Sequence, residues 1–167
     1  TTVTNYRDVL RTVKYQNTSD EPTASRVVSF TVNDGTVDSN TATRTINISA
    51  VNDAPNVATS AGNLAFTEGD AATAVDATLT LSDIDSTNLT GATVTISNNF
   101  RTGEDELAFV NQLGITGSWD VGTGVLTLTG TTTVANYQTA LRTVTYENTS
   151  SDPTALARTI AFSVTDG

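Results

Sequence analysis

The first 35 residues of this chain return at its other end. Thr1-Thr2-Val3-Thr4-Asn5-Tyr6 matches Thr132-Thr133-Val134-Ala135-Asn136-Tyr137, and Leu10-Arg11-Thr12-Val13-Lys14-Tyr15 matches Leu141-Arg142-Thr143-Val144-Thr145-Tyr146. Asn17-Thr18-Ser19 and Pro22-Thr23-Ala24 match Asn148-Thr149-Ser150 and Pro153-Thr154-Ala155, all at a spacing of 131 (137 minus 6). After one inserted residue, Phe30, Val32, Asp34 and Gly35 match Phe162, Val164, Asp166 and Gly167 at a spacing of 132 (162 minus 30). About 35 aligned positions agree at more than half. A period this long is a folded domain and not one turn of a solenoid, so the chain must be built from copies of one module.

The seam between copies is Ala50-Val51-Asn52-Asp53-Ala54-Pro55. Pro55 has no N–H and a fixed φ, so a strand ladder arriving from upstream must stop there, and the residue before it is pushed into extended geometry. Residues 1–50 are therefore expected to be the last part of one repeat and 51–56 a linker. Residues 57–167 are expected to be a second repeat without its last strand.

What the module is made of follows from its threonine, about one residue in five. Threonine is β-branched and suits a pleated, half-exposed surface, which predicts an all-β fold. Alternating runs place strands at 63–67, 77–82, 92–97, 106–110, 115–119, 125–129, 142–147 and 157–165, with 26–33 and 41–50 in the leading copy. Asp120 to Gly124 reads as a hairpin turn, and Thr133 as the cap of one helical turn over 134–141. Short strands at regular spacing with turn signals describe a Greek-key β-sandwich. The expected core is Leu64, Phe66, Leu79, Leu81, Val94, Ile96, Leu126, Leu128, Leu141, Ile160, Phe162 and Val164. Arg44, Arg142 and Arg158 read as solvated strand positions.

Several functions are excluded by what the chain lacks. Its net charge is −10, which leaves no basic patch to neutralise phosphates and argues against a nucleic-acid partner. It contains neither cysteine nor histidine, which removes ordinary zinc sites and Ser-His-Asp or Cys-His catalysis. Only carboxylates remain as acid–base groups, none on a recognisable catalytic scaffold, and tandem copies serve reach and valency better than turnover. The expectation is a protein that is not an enzyme. No run is long and apolar enough for a transmembrane helix, so no membrane insertion is expected.

Three acidic clusters fall where strands are expected to end: Asn52 and Asp53 at the seam, Glu68-Gly69-Asp70, and Asp83-Ile84-Asp85. A β-sandwich gathers its loops at such ends, and an Asp-x-Asp pair at a strand exit can aim two carboxylates at one point. Calcium takes six to eight oxygen ligands of this kind, whereas Asp and Asn are also ordinary turn residues. The convergence of Asn52, Asp53, Glu68, Asp83 and Asp85 in one module favours Ca2+. Asn17, Asn47, Asn88 and Asn148 head glycosylation-type tripeptides that a chain this rich in Asn, Thr and Ser produces by chance, and they receive no role. Trp119 could stack on a sugar but reads as a core residue.

The sequence resembles the cadherin-like repeats of very large bacterial surface adhesins. The resemblance rests on Val51-Asn52-Asp53-Ala54-Pro55, Phe66-Thr67-Glu68, Leu81-Ser82-Asp83-Ile84-Asp85 and Phe162-Ser163-Val164-Thr165-Asp166-Gly167. It implies an Ig/cadherin-like sandwich with calcium ligands at the linker, at an early glutamate and at an Asp-x-Asp pair, here Asn52 and Asp53, Glu68, and Asp83 with Asp85. The central Asp-Arg-Glu triplet of animal cadherins has no counterpart, so one or two ions are implied rather than a full set. The expected function is an extracellular, cell-surface module for adhesion, stiffened by calcium between repeats. Its expected partners are neighbouring repeats or copies of itself, joined head-to-tail by strand complementation into filaments, with a cell-surface protein or glycan as the adhesion ligand. A metal-free spacer and a carbohydrate-binding β-sandwich are the alternatives.

Overall fold

The computed structural model describes residues 2–167; Thr1, where the expected first repeat begins, lies outside the described residues. The chain divides between Val51 and Asn52 into two units. Unit 1 opens with α1 (Val3–Leu10), whose preceding Thr2 is extended and accepts a hydrogen bond from the Asn5 N–H at 3.2 Å. That side-chain oxygen satisfies one of the N–H groups a helix leaves unpaired at its start. An antiparallel hairpin follows, β1 (Ser25–Phe30) and β2 (Ala42–Asn47), with Arg26 opposite Ile46 and Phe30 opposite Ala42. In the loop between them the Asp34 carboxylate accepts from the N–H groups of Thr36 and Val37 at 2.8 and 2.9 Å, and Gly35 takes a φ of +102°. No described residue of unit 1 up to Val51 is buried.

Unit 2 is an antiparallel all-β sandwich. Its strands are β3 (Asn56–Ala58), β4 (Thr73–Ala74), β5 (Thr80–Ser82), β6 (Asn88–Asn98), β7 (Asp105–Ala108), β8 (Thr116–Asp120), β9 (Val125–Thr133), β10 (Thr145–Asn148) and β11 (Thr159–Thr165), with α2 (Val134–Leu141) between β9 and β10. One sheet has the order β11-β6-β9-β8, a second β4-β10-β7, and β3 pairs with β5. The threonine alternation does what a pleat requires. Along β6, Ala92, Val94 and Ile96 point into the core, and the threonines between them point out. Leu79, Leu89, Leu107, Ile115, Leu126, Leu128, Tyr137, Ala140, Leu141, Val144 and Tyr146 complete the buried hydrophobic set.

The turn from β9 into α2 shows how one glycine positions a helix. The register of β6 against β9 shifts between Leu89 and Gly91, and Gly130 lies in the resulting bulge with a φ of +137°. A Cβ there would stand 2.1 Å from the carbonyl oxygen of Gly114, so only glycine fits. Beyond the bulge Thr133 caps α2 through the Asn136 N–H, and the hydroxyl of buried Tyr137 donates back to the Gly130 carbonyl at 2.6 Å.

Several expectations are corrected. Residues 63–67 form no strand: Thr67 and Asp70 bond to each other across Glu68-Gly69, and Leu64 is 41% exposed. Alternation predicts a strand only where a ladder partner is in reach, and this loop has none. The strand expected over 77–82 is confined to β5. Phe66, Leu81, Ile160, Phe162 and Val164 pack against the core but are only partly buried, while Leu89, Leu107, Ile115, Tyr137, Val144 and Tyr146 were not anticipated in it. Arg44 is exposed as expected, but Arg142 and Arg158 are half-buried and tied into the fold. The Arg142 Nε donates to the Leu79 carbonyl at 2.8 Å, and Arg158 pairs with buried Asp105. Trp119 packs edge-on against Phe100 with ring centroids 6.1 Å apart, as a core aromatic does.

Candidate metal centre

Three stretches of unit 2 meet at one end of the sandwich. Chain from the seam enters β3 just after Pro55, and β3 pairs with β5 so that Asn56 stands opposite Ser82. The residues leaving β5 are Asp83-Ile84-Asp85, and the residue leaving β11 is Asp166. Carboxylate oxygens of Asp83, Asp85 and Asp166 all lie within 4.8 Å of one another, each residue being half-buried.

Hydrogen bonds fix the three side chains. Asp83 folds over its own turn, one oxygen accepting from the Ser86 N–H at 2.9 Å and the Asp85 N–H at 3.1 Å. The Ser86 N–H above all, with the Asp85 N–H behind it, holds the Asp83 carboxyl below the usual range despite the opposing effect of burial. One oxygen of Asp85 accepts from the Asp53 N–H at 3.0 Å. One oxygen of Asp166 accepts from the Asn52 side-chain amide at 2.8 Å and the Ser86 hydroxyl at 3.2 Å.

Two oxygens are left over. Asp83 Oδ2 and Asp85 Oδ1 are sealed from solvent and meet no hydrogen-bond donor. An ionised oxygen without water or donor is costly, and no organic cation relieves it here. Among the described residues the ion pairs are Arg7–Asp8 and Arg158–Asp105, neither of which involves this cluster. The cluster could therefore hold a metal ion, and its all-oxygen donors, without thiolate or imidazole, suit a hard cation.

Asn52, Asp53, Asp83 and Asp85 meet here, although Asp53 contributes its N–H through the backbone. Glu68 is exposed and is not among the converging carboxylates; it borders a cleft lined also by Phe66, Tyr146 and Pro153. Asp166 and Ser86 were missed as site residues. The signal that finds Asp166 is the Asp-Gly pair repeated at positions 34 and 166.

The fold and the cluster define a class: an all-β sandwich module with a carboxylate cluster, beside its entry strand, that could hold a metal ion. No family model matches the chain, and no solved structure matches it. The chain is 40% identical over 139 residues to Halomucin of Haloquadratum walsbyi (strain DSM 16790 / HBSQ001). The match takes in 80% of this chain and spans 1% of Halomucin.

Proposed function

We propose that this chain is part of a tandem array of cadherin-like modules on an extracellular protein, serving structure and adhesion, with Ca2+ bound next to each seam. The observation that carries the calcium reading is the pair of sealed, donor-less oxygens on Asp83 and Asp85, beside Asp166. Calcium would take those oxygens together with Asp166, Asn52 supplying an amide oxygen after turning its side chain. It would tie the seam to the exits of β5 and β11, and so stiffen the place where one copy gives way to the next. The internal duplication supports the array. A 139-residue match covering only 1% of Halomucin fits a repeat within a very long chain, and that protein's name supports placement outside the cell. No catalytic constellation accompanies the site, and a structural module is the reading we adopt.

Calcium titration of the whole chain, followed by calorimetry and thermal melting, tests it. Binding to the native state alone stabilises by RT ln(1 + [Ca]/Kd), about 2.7 kcal/mol at a hundredfold excess over Kd. Asp83→Asn with Asp85→Asn should abolish the heat of binding and the gain in melting temperature. Identical melting curves with calcium and with EDTA would instead leave a metal-free spacer.

A further inference from the structure

The start of unit 2 is fastened to the acidic cluster by hydrogen bonds of its own. Asn52 and Asp53 are both exposed, yet each is tied to a different strand exit. Asn52 Nδ2 donates to Asp166 Oδ2 at 2.8 Å, just past β11 and 114 positions away in sequence. The Asp53 N–H donates to Asp85 Oδ2 at 3.0 Å, just past β5 and 32 positions away. The Ser86 hydroxyl stands between the two partners of the first bond, 3.2 Å from Asp166 Oδ2 and 3.3 Å from Asn52 Oδ1. Asn52 therefore uses both ends of its amide, the nitrogen as donor and the oxygen as acceptor.

That chemistry belongs to an amide and not to an acid. An ionised carboxylate only accepts hydrogen bonds. Aspartate in place of Asn52 would lose the bond to Asp166 and bring a further negative charge to three carboxylates that already lie together. The latch and a cation also draw on different atoms of Asp85. Its Oδ2 takes the Asp53 N–H, whereas its Oδ1, like Asp83 Oδ2, is sealed from solvent and meets no donor.

We propose that Asn52 is a positioning residue that latches the seam through hydrogen bonds alone, so that the seam is held before a cation binds and is held further once one does. Asparagine at this position keeps the seam from depending wholly on the ion; aspartate would make the ion obligatory. The part played by the ion rests on the calcium reading of the cluster, and the latch itself does not.

Amide hydrogen exchange at Asp53, measured by NMR on the whole chain in EDTA and in saturating calcium, tests it. In EDTA the native Asp53 N–H should exchange at least about tenfold more slowly than an unstructured amide. Asn52→Asp should speed it by about tenfold, since a hydrogen bond to a charged group is lost. Calcium should close that gap, because the introduced carboxylate offers the ion an oxygen. Exchange in the native chain with EDTA at the unstructured rate overturns the proposal, as does equal exchange of the two chains in EDTA. A gap that calcium leaves open also overturns it, since loosening of that kind reflects ordinary damage to the fold. If calcium changes neither chain, the calcium reading falls, and the latch is decided by the EDTA measurements alone. The native chain in EDTA involves no substitution, so that comparison stands even if the variant fails to fold.

Discussion

Tyr6, Leu10, Val13 and Tyr15 of unit 1 correspond to Tyr137, Leu141, Val144 and Tyr146 of unit 2. The first set is 50%, 36%, 56% and 42% exposed; the second is 0%, 0%, 0% and 7% exposed. Both copies nevertheless form the same helix, each capped by a threonine that accepts from the N–H three residues on, at 3.2 Å in both cases. They do not form the same strand: residues 145–148 are β10, while 14–17 form no strand. Capping is local and travels with the sequence. A ladder needs a partner from elsewhere in the chain, and β10 finds two, β4 and β7. The duplicated segment thus separates what its own residues encode from what tertiary context adds.

The largest expected break in this comparison is at Asp105. Replacing it with alanine strands the guanidinium of Arg158 in the sandwich, and losing one partner of a buried pair costs about 3–5 kcal/mol. Arg26→Ala in unit 1, whose guanidinium pairs with no carboxylate among the described residues, should change stability by less than about 0.5 kcal/mol. Urea denaturation of the two variants measures the difference. Core truncations should divide in the same way: Leu141→Ala should cost about 2–5 kcal/mol and Leu10→Ala less than about 1 kcal/mol. Equal losses at Leu10 and Leu141 would mean that α1 is covered in solution.

Alkaline pH sharpens the contrast with no mutation at all. Burial first, and then its hydrogen bond to Asp105, push the Tyr146 hydroxyl up to about 12; burial also raises Tyr137. A group whose pKa is raised by folding lends stability that is intact below the unfolded value, about 10, and is lost as pH climbs through the folded one. Unit 2 should therefore lose stability as pH rises from about 10 to about 12, and phenolate absorbance should rise as it does. Tyr146→Phe should blunt that rise. It should also lower stability at neutral pH by about 1–3 kcal/mol, because Asp105 loses a donor.

Much of this was legible in the sequence, for reasons the two copies make plain. The threonine-rich alternation, the Thr133 cap and the Asp120 turn are local signals, and each produced its element. Leu64 and residues 63–67 misled because alternation does not say whether a partner strand is near. The Asp105 network was hidden because Asp105, Tyr146 and Arg158 lie far apart along the chain, and an arginine among threonines looks solvated until its partner is known. At the cluster, Asp83 and Asp85 were readable as a strand exit beside the Asn52-Asp53 seam. Asp166 joins only because β11 ends beside them, a fact of topology and not of motif.

The smallest expected effect lies at acid pH and joins the two carboxylate sites. Burial pushes the Asp105 carboxyl up, but the hydrogen bonds from Tyr146, Asn148, Arg158 and the Arg101 N–H outweigh it and hold the group below its usual range. Asp83 is held low chiefly by the Ser86 N–H. A carboxyl whose pKa is depressed by folding contributes stability that is present above the unfolded value, about 3.9. That stability is lost as pH falls through the folded value. Acid unfolding should therefore begin below about pH 4 and not near neutrality. A metal ion bound to the Asp83–Asp85–Asp166 cluster favours its charged carboxylates over their protonated forms, so calcium should move the acid midpoint to lower pH. The shift should vanish in the Asp83→Asn, Asp85→Asn variant, while the part of the transition governed by Asp105 stays where it is. Circular dichroism against pH, with and without calcium, reads both. A midpoint that calcium leaves unmoved in the native chain would take the ion out of the cluster and leave Asp83 as a turn residue.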